Sequence, residues 1–256
     1  MQMLNMFNRK NVALGLVMAA TVSFTSASNA ALVNYSQNFE GMVQADPDVL
    51  GNDGWLVFGN VFDSEGGYLY GYGPFPAPNA CVAGGGPAFS CVAAGEGGSA
   101  QGTQQLVVFS DYNNGDHGIG NIIESNVFQE QTIAAGDVGK TMRFSFDAKK
   151  GDIGGLSTAS AFIKTVDDFS ALTNFIAFDT TSISTLWGTY NLSIVIDASL
   201  IGQKLQFGFL NTASGYESSG IVYDNVNFGV VPIPPALWLF GSGLLGLVGM
   251  ARRKKS

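Results

Sequence analysis

The chain has 256 residues and a formal net charge of −8 at pH 7, with 20 acidic against 12 basic side chains. Residues 31–230 contain all 20 carboxylates but only six Lys or Arg, so this part has a net charge of −14. Such an acidic body repels nucleic acid and anionic lipid and attracts divalent cations. We therefore expect no nucleic-acid partner.

The first 30 residues have the three parts of a secretory signal peptide. Arg9 and Lys10 form a basic start, an apolar stretch follows at 12–22, and small residues at 28–30 precede a cleavage point. The apolar stretch is too short to span a bilayer. We predict that the Sec translocon exports the chain and that signal peptidase removes this segment, which leaves residues 31–230 as the exported domain.

Residues 31–230 have the pattern of one β domain. Short segments rich in β-branched and aromatic residues recur between Gly, Asn and Asp clusters. Residues 142–147 and 204–209 alternate apolar and polar side chains with the period of two of a half-buried strand. We predict an all-β fold, a jelly-roll-like antiparallel β-sandwich. The predicted strands are 32–39, 55–58, 104–109, 121–128, 141–148, 160–166, 175–178, 189–196, 204–210 and 221–228.

Residues 66–102 interrupt this pattern because they concentrate Gly and Pro. We predict a long surface loop, either functional or a partly ordered insertion. Cys81 and Cys91 are the two cysteines of the chain and both lie within it. In an oxidising compartment they are expected to form one disulfide, since a metal pair would need more Cys or His nearby and a redox pair closer spacing.

The same segment carries Tyr68, Tyr70 and Tyr72 at alternate positions. In an extended chain these three rings would share one face, and flat rings with polar tips suit stacking on the C–H faces of sugars. The other interpretation is that the rings cover the core of the sandwich beside the Gly-rich loop.

Catalytic chemistry has little support in the sequence. His117 is the only histidine; it lies in a polar turn, where we expect a solvated side chain. No Gly-x-Ser-x-Gly motif surrounds a serine. A carboxylate pair for glycoside hydrolysis stays open because 20 carboxylates are available. We expect that the protein is not an enzyme.

The last 26 residues combine three parts in a fixed order. A Val-Pro-x-Pro motif comes first, and an uncharged apolar span at 233–251 follows; as a helix this span reaches about the ~30 Å of a bilayer core. A basic cluster ends the sequence, and such clusters are retained on the cytoplasmic side. The residues of the motif and the cluster are Val231, Pro232, Pro234, Arg252, Arg253, Lys254 and Lys255.

This tail, residues 231–256, resembles the PEP-CTERM sorting signals of Gram-negative bacteria. The resemblance implies that an exosortase-type membrane protease recognises the tail. It also implies a precursor anchored in the membrane by a transmembrane helix, and a mature protein at the cell surface or outside the cell.

The opening and closing strands resemble the two ends of jelly-roll carbohydrate-binding modules. The matching segments are 38–41 followed by 54–55, and 220–228 at the far end. Modules of this kind often hold a structural Ca²⁺ between an acidic residue of the first strand and an Asp of the last. The resemblance therefore implies Glu40 and Asp224 as ligands, with Asp63 or Glu65 as a third, and oxygen ligands suit Ca²⁺.

Together these features predict an exported, surface-sorted, non-catalytic protein that associates with exopolysaccharide or another surface glycan of the extracellular matrix. Two alternatives stay open. One is a surface carbohydrate-binding module whose affinity depends on Tyr70 and Tyr72. The other is a secreted glycan-active enzyme.

Overall fold

The computed structural model describes residues 31–168 and 170–232. Within these ranges the chain forms two antiparallel β-sheets packed face to face, which confirms the predicted all-β sandwich. The helices of these ranges are all too short or too polar to cross a bilayer. The predicted signal peptide and the predicted span at 233–251 lie outside the described residues.

Twelve strands make up the described sandwich, joined by turns and by short helices α1 (Val49–Asn52) and α2 (Gly115–Gly118). The strands are β1 (Tyr35–Gln37), β2 (Leu56–Phe62), β3 (Tyr68–Pro76), β4 (Ser90–Ala94), β5 (Gln104–Val108), β6 (Ile122–Thr132), β7 (Thr141–Lys150), β8 (Thr158–Val166), β9 (Leu172–Asp179), β10 (Gly188–Val195), β11 (Lys204–Ser214) and β12 (Ile221–Val230).

The strands are divided between two sheets. Sheet A has the order β10-β7-β12-β5-β4, and β1 pairs with the second half of β12. Sheet B has the order β3-β2-β6-β11-β8-β9. Each of the ten predicted strands overlaps an observed one.

The prediction that residues 66–102 form a loop is wrong, because β3 and β4 lie inside this segment. Both are edge strands, β3 of sheet B and β4 of sheet A. An edge strand tolerates Gly and Pro because one side of its backbone needs no partner. The predicted disulfide is confirmed: Cys81 and Cys91 are bonded, with their Cα atoms 5.3 Å apart.

Aromatic stacking between β11 and β12 joins the two sheets. The Phe207 and Phe228 rings lie 4.0 Å apart at an interplanar angle of 7°, and the Phe209 and Tyr223 rings lie 3.6 Å apart at 17°. All four side chains are fully buried. Because side chains alternate along a strand, the β11 residues on either side of this pair, Gln206 and Leu210, point to the outer face of sheet B.

We predict that Phe209→Ala lowers the free energy of unfolding by ~3–5 kcal/mol, because it leaves a cavity against Tyr223. Urea unfolding measures this change. The control is Phe175→Ala, which removes a ring that is 49% exposed and should cost less than ~1 kcal/mol. Equal losses in the two variants would contradict the assignment of Phe209 to the inter-sheet core.

Candidate functional site

A cleft of about 810 Å³ crosses the outer face of sheet B, the face turned away from the sandwich core. Its floor comes from the central strands β6, β11 and β8, and its two sides come from the edges of the sheet. The residues that line it include Phe58, Asn60, Tyr68, Pro74, Glu124, Asn126, Phe128, Glu130, Lys164, Leu172, Phe175, Lys204 and Gln206.

Aromatic and apolar side chains stand on both sides of this cleft. Tyr68 of β3 is 60% exposed and its ring packs edge-on against Phe62. On the opposite side, Phe175 of β9 is half exposed and its ring packs against Phe162. Large apolar rings exposed on both rims of one cleft are surfaces on which a flat, partly apolar ligand can stack.

One end of the floor is organised around Glu124. Its Oε1 atom accepts hydrogen bonds from Asn60 Nδ2 at 2.8 Å and from Asn126 Nδ2 at 3.0 Å. The amide oxygen of Asn126 in turn accepts from Lys164 Nζ at 3.1 Å. Asn126 therefore donates to Glu124 and accepts from Lys164, so these three side chains form one hydrogen-bonded series along the cleft floor.

The other end of the floor is organised around Glu130. Its Oε1 atom forms an ion pair with Lys204 Nζ at 2.7 Å, and its Oε2 atom accepts from Gln206 Nε2 at 2.7 Å. Both oxygens of this carboxylate therefore have a donor within the protein.

Lys164 carries its ammonium group into the apolar part of the floor. Its Nζ atom lies 4.7 Å from the centre of the Phe162 ring and 5.4 Å from that of Phe128. Burial lowers the pKa of Lys164 to about 8, and the negative charges of Glu124 and Glu130 act in the opposite direction. The cleft thus contains a cation that is poorly hydrated.

The prediction that Tyr68, Tyr70 and Tyr72 share one face is wrong. Tyr70 pairs with Val61 while Tyr68 pairs with the next residue, Phe62, so Leu69 is an extra residue in β3. A β-bulge of this kind reverses the faces on either side of it. Tyr68 therefore lines the cleft, whereas Tyr70 and Tyr72 point to the other face of the strand.

Tyr70 and Tyr72 are held by other side chains. The hydroxyl of Tyr70 donates to Asp116, and the hydroxyls of Tyr72 and Tyr112 are hydrogen-bonded to each other. Tyr72 is half-buried and packs against the hydrophobic core. Tyr72 supports the interpretation in which tyrosines cover the core, whereas Tyr70 is exposed outside it; of the three tyrosines, Tyr68 lines the cleft.

His117 differs from the predicted solvated side chain. It lies in α2, is only 2% exposed, and its Nε2 atom is 2.7 Å from the carbonyl oxygen of Ser110. Its ring lies between those of Tyr112 and Tyr216. The polar residues next to His117 in the sequence suggested exposure. Its burial could not be predicted from them because it depends on contacts with residues such as Tyr216, which is distant in the chain.

Glu40 and Asp224, the two principal residues of the predicted calcium site, lie close enough for the charge of Glu40 to act on Asp224. Asp224 is fully buried, and burial raises its pKa to about 7. Among the residues that the structure describes, its Oδ2 atom has no hydrogen-bond partner, and neither has Oε1 of the neighbouring Gln105. Two buried oxygens without partners, beside further carboxylates, fit a hard cation.

The other residues of this predicted site either make hydrogen bonds within the protein or lie in another part of the fold. Glu40 accepts from the backbone N–H groups of Thr103 and Gln104, each at 2.7 Å. Asp63 is in the turn between β2 and β3 of sheet B, where Oδ1 accepts from the backbone of Glu65 and Gly67. The structure therefore brings neither Asp63 nor Glu65 to the Glu40–Asp224 pair.

Carboxylates do not form this site by themselves. Across residues 31–168 and 170–232, no group of three or more His, Cys, Asp and Glu side chains is placed to hold a metal ion. A cation beside Asp224 would depend on the Gln105 amide and on main-chain oxygens as well.

The described chain reaches only the first two residues of the predicted sorting motif. The backbone N–H of Val231 donates to the carbonyl of Thr141 at 2.8 Å, and Pro232 is exposed. Pro234 and the basic cluster 252–255 lie outside the described residues.

No family model and no curated protein sequence matches the chain. Among solved structures it is similar to the enzymatically active domain of tailspike protein 4 from bacteriophage CBA120, with a TM-score of 0.44 and 13% identity over 73% of this chain and 21% of that one. It is similar to the CBM22-1 xylan-binding domain from Paenibacillus barcinonensis Xyn10C, with a TM-score of 0.39 and 11% identity over 81% of this chain and 99% of that one. It is also similar to a cyclase from Fischerella sp. TAU, with a TM-score of 0.43 and 12% identity over 78% and 98%. Similarity at this level does not choose among the activities of these proteins.

Sequence reasoning missed most of the cleft. Its floor residues Glu124, Asn126 and Phe128 alternate along a predicted strand, as do Lys204 and Gln206 along another. This alternation could have identified an outward face that carries amides, charges and a large ring. It could not show that β6, β11 and β8 are neighbours.

The low pKa of Lys164 predicts a particular pH dependence of stability. The folded state binds this proton less tightly than the unfolded chain does, so this group makes the protein more stable as pH rises from about 8 towards ~10.4. We expect the stability of Lys164→Met, relative to the natural chain, to fall by ~2 kcal/mol between pH 7.5 and 9.5. Urea unfolding at both pH values measures this. A difference between the two proteins that is the same at both pH values would contradict it.

Proposed function

We propose that the protein is a non-catalytic glycan-binding protein of the bacterial surface and that the cleft on sheet B holds the glycan. The observation that carries the proposal is the placement of exposed rings on both rims, Tyr68 and Phe175, around a floor of amides and carboxylates. Rings stack on the C–H faces of sugars, and amide and carboxylate groups bind sugar hydroxyls.

The polar groups of the floor are suited to hydroxyl recognition because they are held in place before a ligand arrives. Glu124 is fixed by two amide donors, and its Oε2 atom keeps lone pairs for a ligand. The Gln206 amide is fixed by Glu130. Binding therefore costs little side-chain ordering at these positions, which favours affinity.

Glu124 and Glu130 do not form with each other the pair of carboxylates that glycoside hydrolysis uses. Glu124 and Glu130 are six residues apart on the same strand, which corresponds to roughly 20 Å. Hydrolases place their two carboxyl groups only ~5–10 Å apart across the scissile bond. These two glutamates therefore serve binding rather than cleavage in the proposed function.

The proposal includes surface sorting. An exosortase-type protease would act on the tail after the Sec translocon and signal peptidase have exported the domain, and the mature protein would associate with exopolysaccharide. The exposure of Pro232 just beyond β12 supports access to this segment. Intact mass of the protein recovered from its native envelope tests tail removal.

We also propose that a structural Ca²⁺ binds beside Asp224, with the Gln105 amide as a second ligand and Glu40 adding negative charge. The buried, unpartnered oxygens of Asp224 and Gln105 support this proposal. A divalent cation there would offset the cost of a buried carboxylate and tie β12 to β5.

We predict that Tyr68→Ala and Phe175→Ala each weaken glycan binding by roughly tenfold or more, as expected for central aromatic contacts. Tyr70→Ala is the matched control, because Tyr70 lies on the opposite face and its loss should leave the affinity unchanged. Affinity electrophoresis and calorimetry against a panel of neutral and acidic polysaccharides measure the effect. A loss confined to Tyr70→Ala would move the site away from the cleft.

We predict that a chelator lowers the melting temperature of the natural protein, because a cation that binds only the folded state stabilises it. Asp224→Asn should abolish this sensitivity. Asp63→Ala is the control and should keep it, since Asp63 only stabilises a turn. Calorimetric melting with EDTA and with added Ca²⁺ distinguishes these results, and the same melting temperature under both conditions would refute the calcium proposal.

A further inference from the structure

The ammonium group of Lys164 lies in the cleft and makes no ion pair with a described residue, although the charges of Glu124 and Glu130 act on it from a distance. It has three N–H donors, and its hydrogen bond in the described part of the chain goes to the neutral oxygen of Asn126 at 3.1 Å. No carboxylate of residues 31–168 or 170–232 is at ion-pair distance from it. Donors of the ammonium group therefore remain for a ligand.

Three other lysines of the described chain do form ion pairs. Lys140 pairs with Asp137 at 2.7 Å, and Lys149 pairs with Glu96 at 2.5 Å. Lys204, in the same cleft as Lys164, pairs with Glu130 at 2.7 Å. Lys164 differs from these three although it is placed between aromatic rings, where a charge most needs a partner.

The two glutamates nearest to Lys164 in the cleft do not fill this role. The Asn126 amide separates Lys164 from Glu124, because it donates to Glu124 and accepts from Lys164. Glu130 uses both of its oxygens on Lys204 and Gln206. A partly buried cation that is left unpaired costs free energy, and a ligand anion is the partner that would offset this cost.

We propose that Lys164 binds the carboxylate of a uronic-acid residue in the glycan, so that the ligand is an acidic rather than a neutral polysaccharide. This inference rests on the proposed function, because it names the class of ligand for the same cleft. Glu124, with a free acceptor atom, would take hydroxyl groups of the neighbouring sugars.

The charge of the domain limits how acidic that ligand is. Residues 31–230 have a net charge of −14, and Asp167 and Asp168 line the cleft together with Glu124 and Glu130, so a dense polyanion is repelled. At physiological salt this repulsion is screened beyond ~8 Å, whereas a carboxylate in contact with Lys164 is screened much less. The arrangement therefore favours a glycan in which an isolated uronate occurs among neutral sugars over a continuous polyuronate.

The experiment compares pairs of polymers that differ only in the carboxylate. Glucuronoxylan and a glucuronate-bearing arabinogalactan are each titrated into the full chain beside the same polymer after carboxyl reduction, and polygalacturonate serves as the dense polyanion. We expect binding of the sparse uronate polymers to exceed that of their reduced forms and of polygalacturonate by roughly tenfold or more.

Three variants assign the preference to one side chain. Lys164→Met should remove the preference for the carboxylated form, and Lys164→Arg should retain much of it because the charge is kept. Arg143→Met is the control: Arg143 is an exposed cation on the outward side of β7 in sheet A, and its loss should change nothing.

The possible results separate this inference from the proposed function. Equal, cleft-dependent binding of the carboxylated and reduced polymers would overturn the uronate assignment and leave glycan binding standing. Binding to neither form of any polymer would overturn both. A preference that survives in Lys164→Met would overturn the role of Lys164.

Discussion

Stacking of the β11 and β12 aromatic rings between the two sheets is the contact on which the rest of the structure depends. Phe207 on Phe228 and Phe209 on Tyr223 bring the most buried strands of sheets B and A together. Their inward direction also decides what lies outside, because alternate residues of β11 must then face the cleft. The packing of β11 against β6 leaves no room for a side chain at position 208, because one there would collide with the backbone of Val127 and Phe128. The register that builds the core therefore builds the floor of the site.

Most of the charged groups on the cleft floor have charged or amide partners within the protein, whereas Lys164 has only a neutral acceptor among the described residues. Glu130 and Gln206 form a closed set with Lys204, and Glu124 is held by two amides. Lys164 is the exception, a cation over aromatic rings with a neutral acceptor. Buried polar groups that lack a partner are costly, and a bound ion or ligand is one of the specific reasons for which proteins keep them. Asp224 also has a buried oxygen without a hydrogen bond among the described residues, and this observation is the basis of the proposed Ca²⁺.

The local sequence pattern predicted most strands of this fold. It failed for the features that depend on which strands pair with each other. The alternation in 142–147 and 204–209 marked β7 and β11, and their apolar residues are buried as expected. The edge strand β3 was missed because it contains Gly and Pro, which usually mark loops but are tolerated at a sheet edge. The edge strand β4 contains neither residue and was missed because the segments around it are rich in Gly. The extra residue Leu69 places Tyr68 and Tyr70 on opposite faces of β3. The local sequence contains no signal that predicts such a bulge. The floor of the cleft could not be predicted because it joins β6, β11 and β8, which are distant in the chain.

The central claim is that glycan binds on the outer face of sheet B. An NMR titration of the ¹⁵N-labelled chain with a glucuronate-bearing oligosaccharide tests it most directly, through the side-chain amide signals of Asn60, Asn126 and Gln206. The account predicts that these signals shift together with ligand concentration. The amides of Gln101, in the loop between β4 and β5, and of Asn225, in β12 of sheet A, should stay unchanged. Shifts at Gln101 and Asn225, with none at Asn60, Asn126 and Gln206, would contradict it.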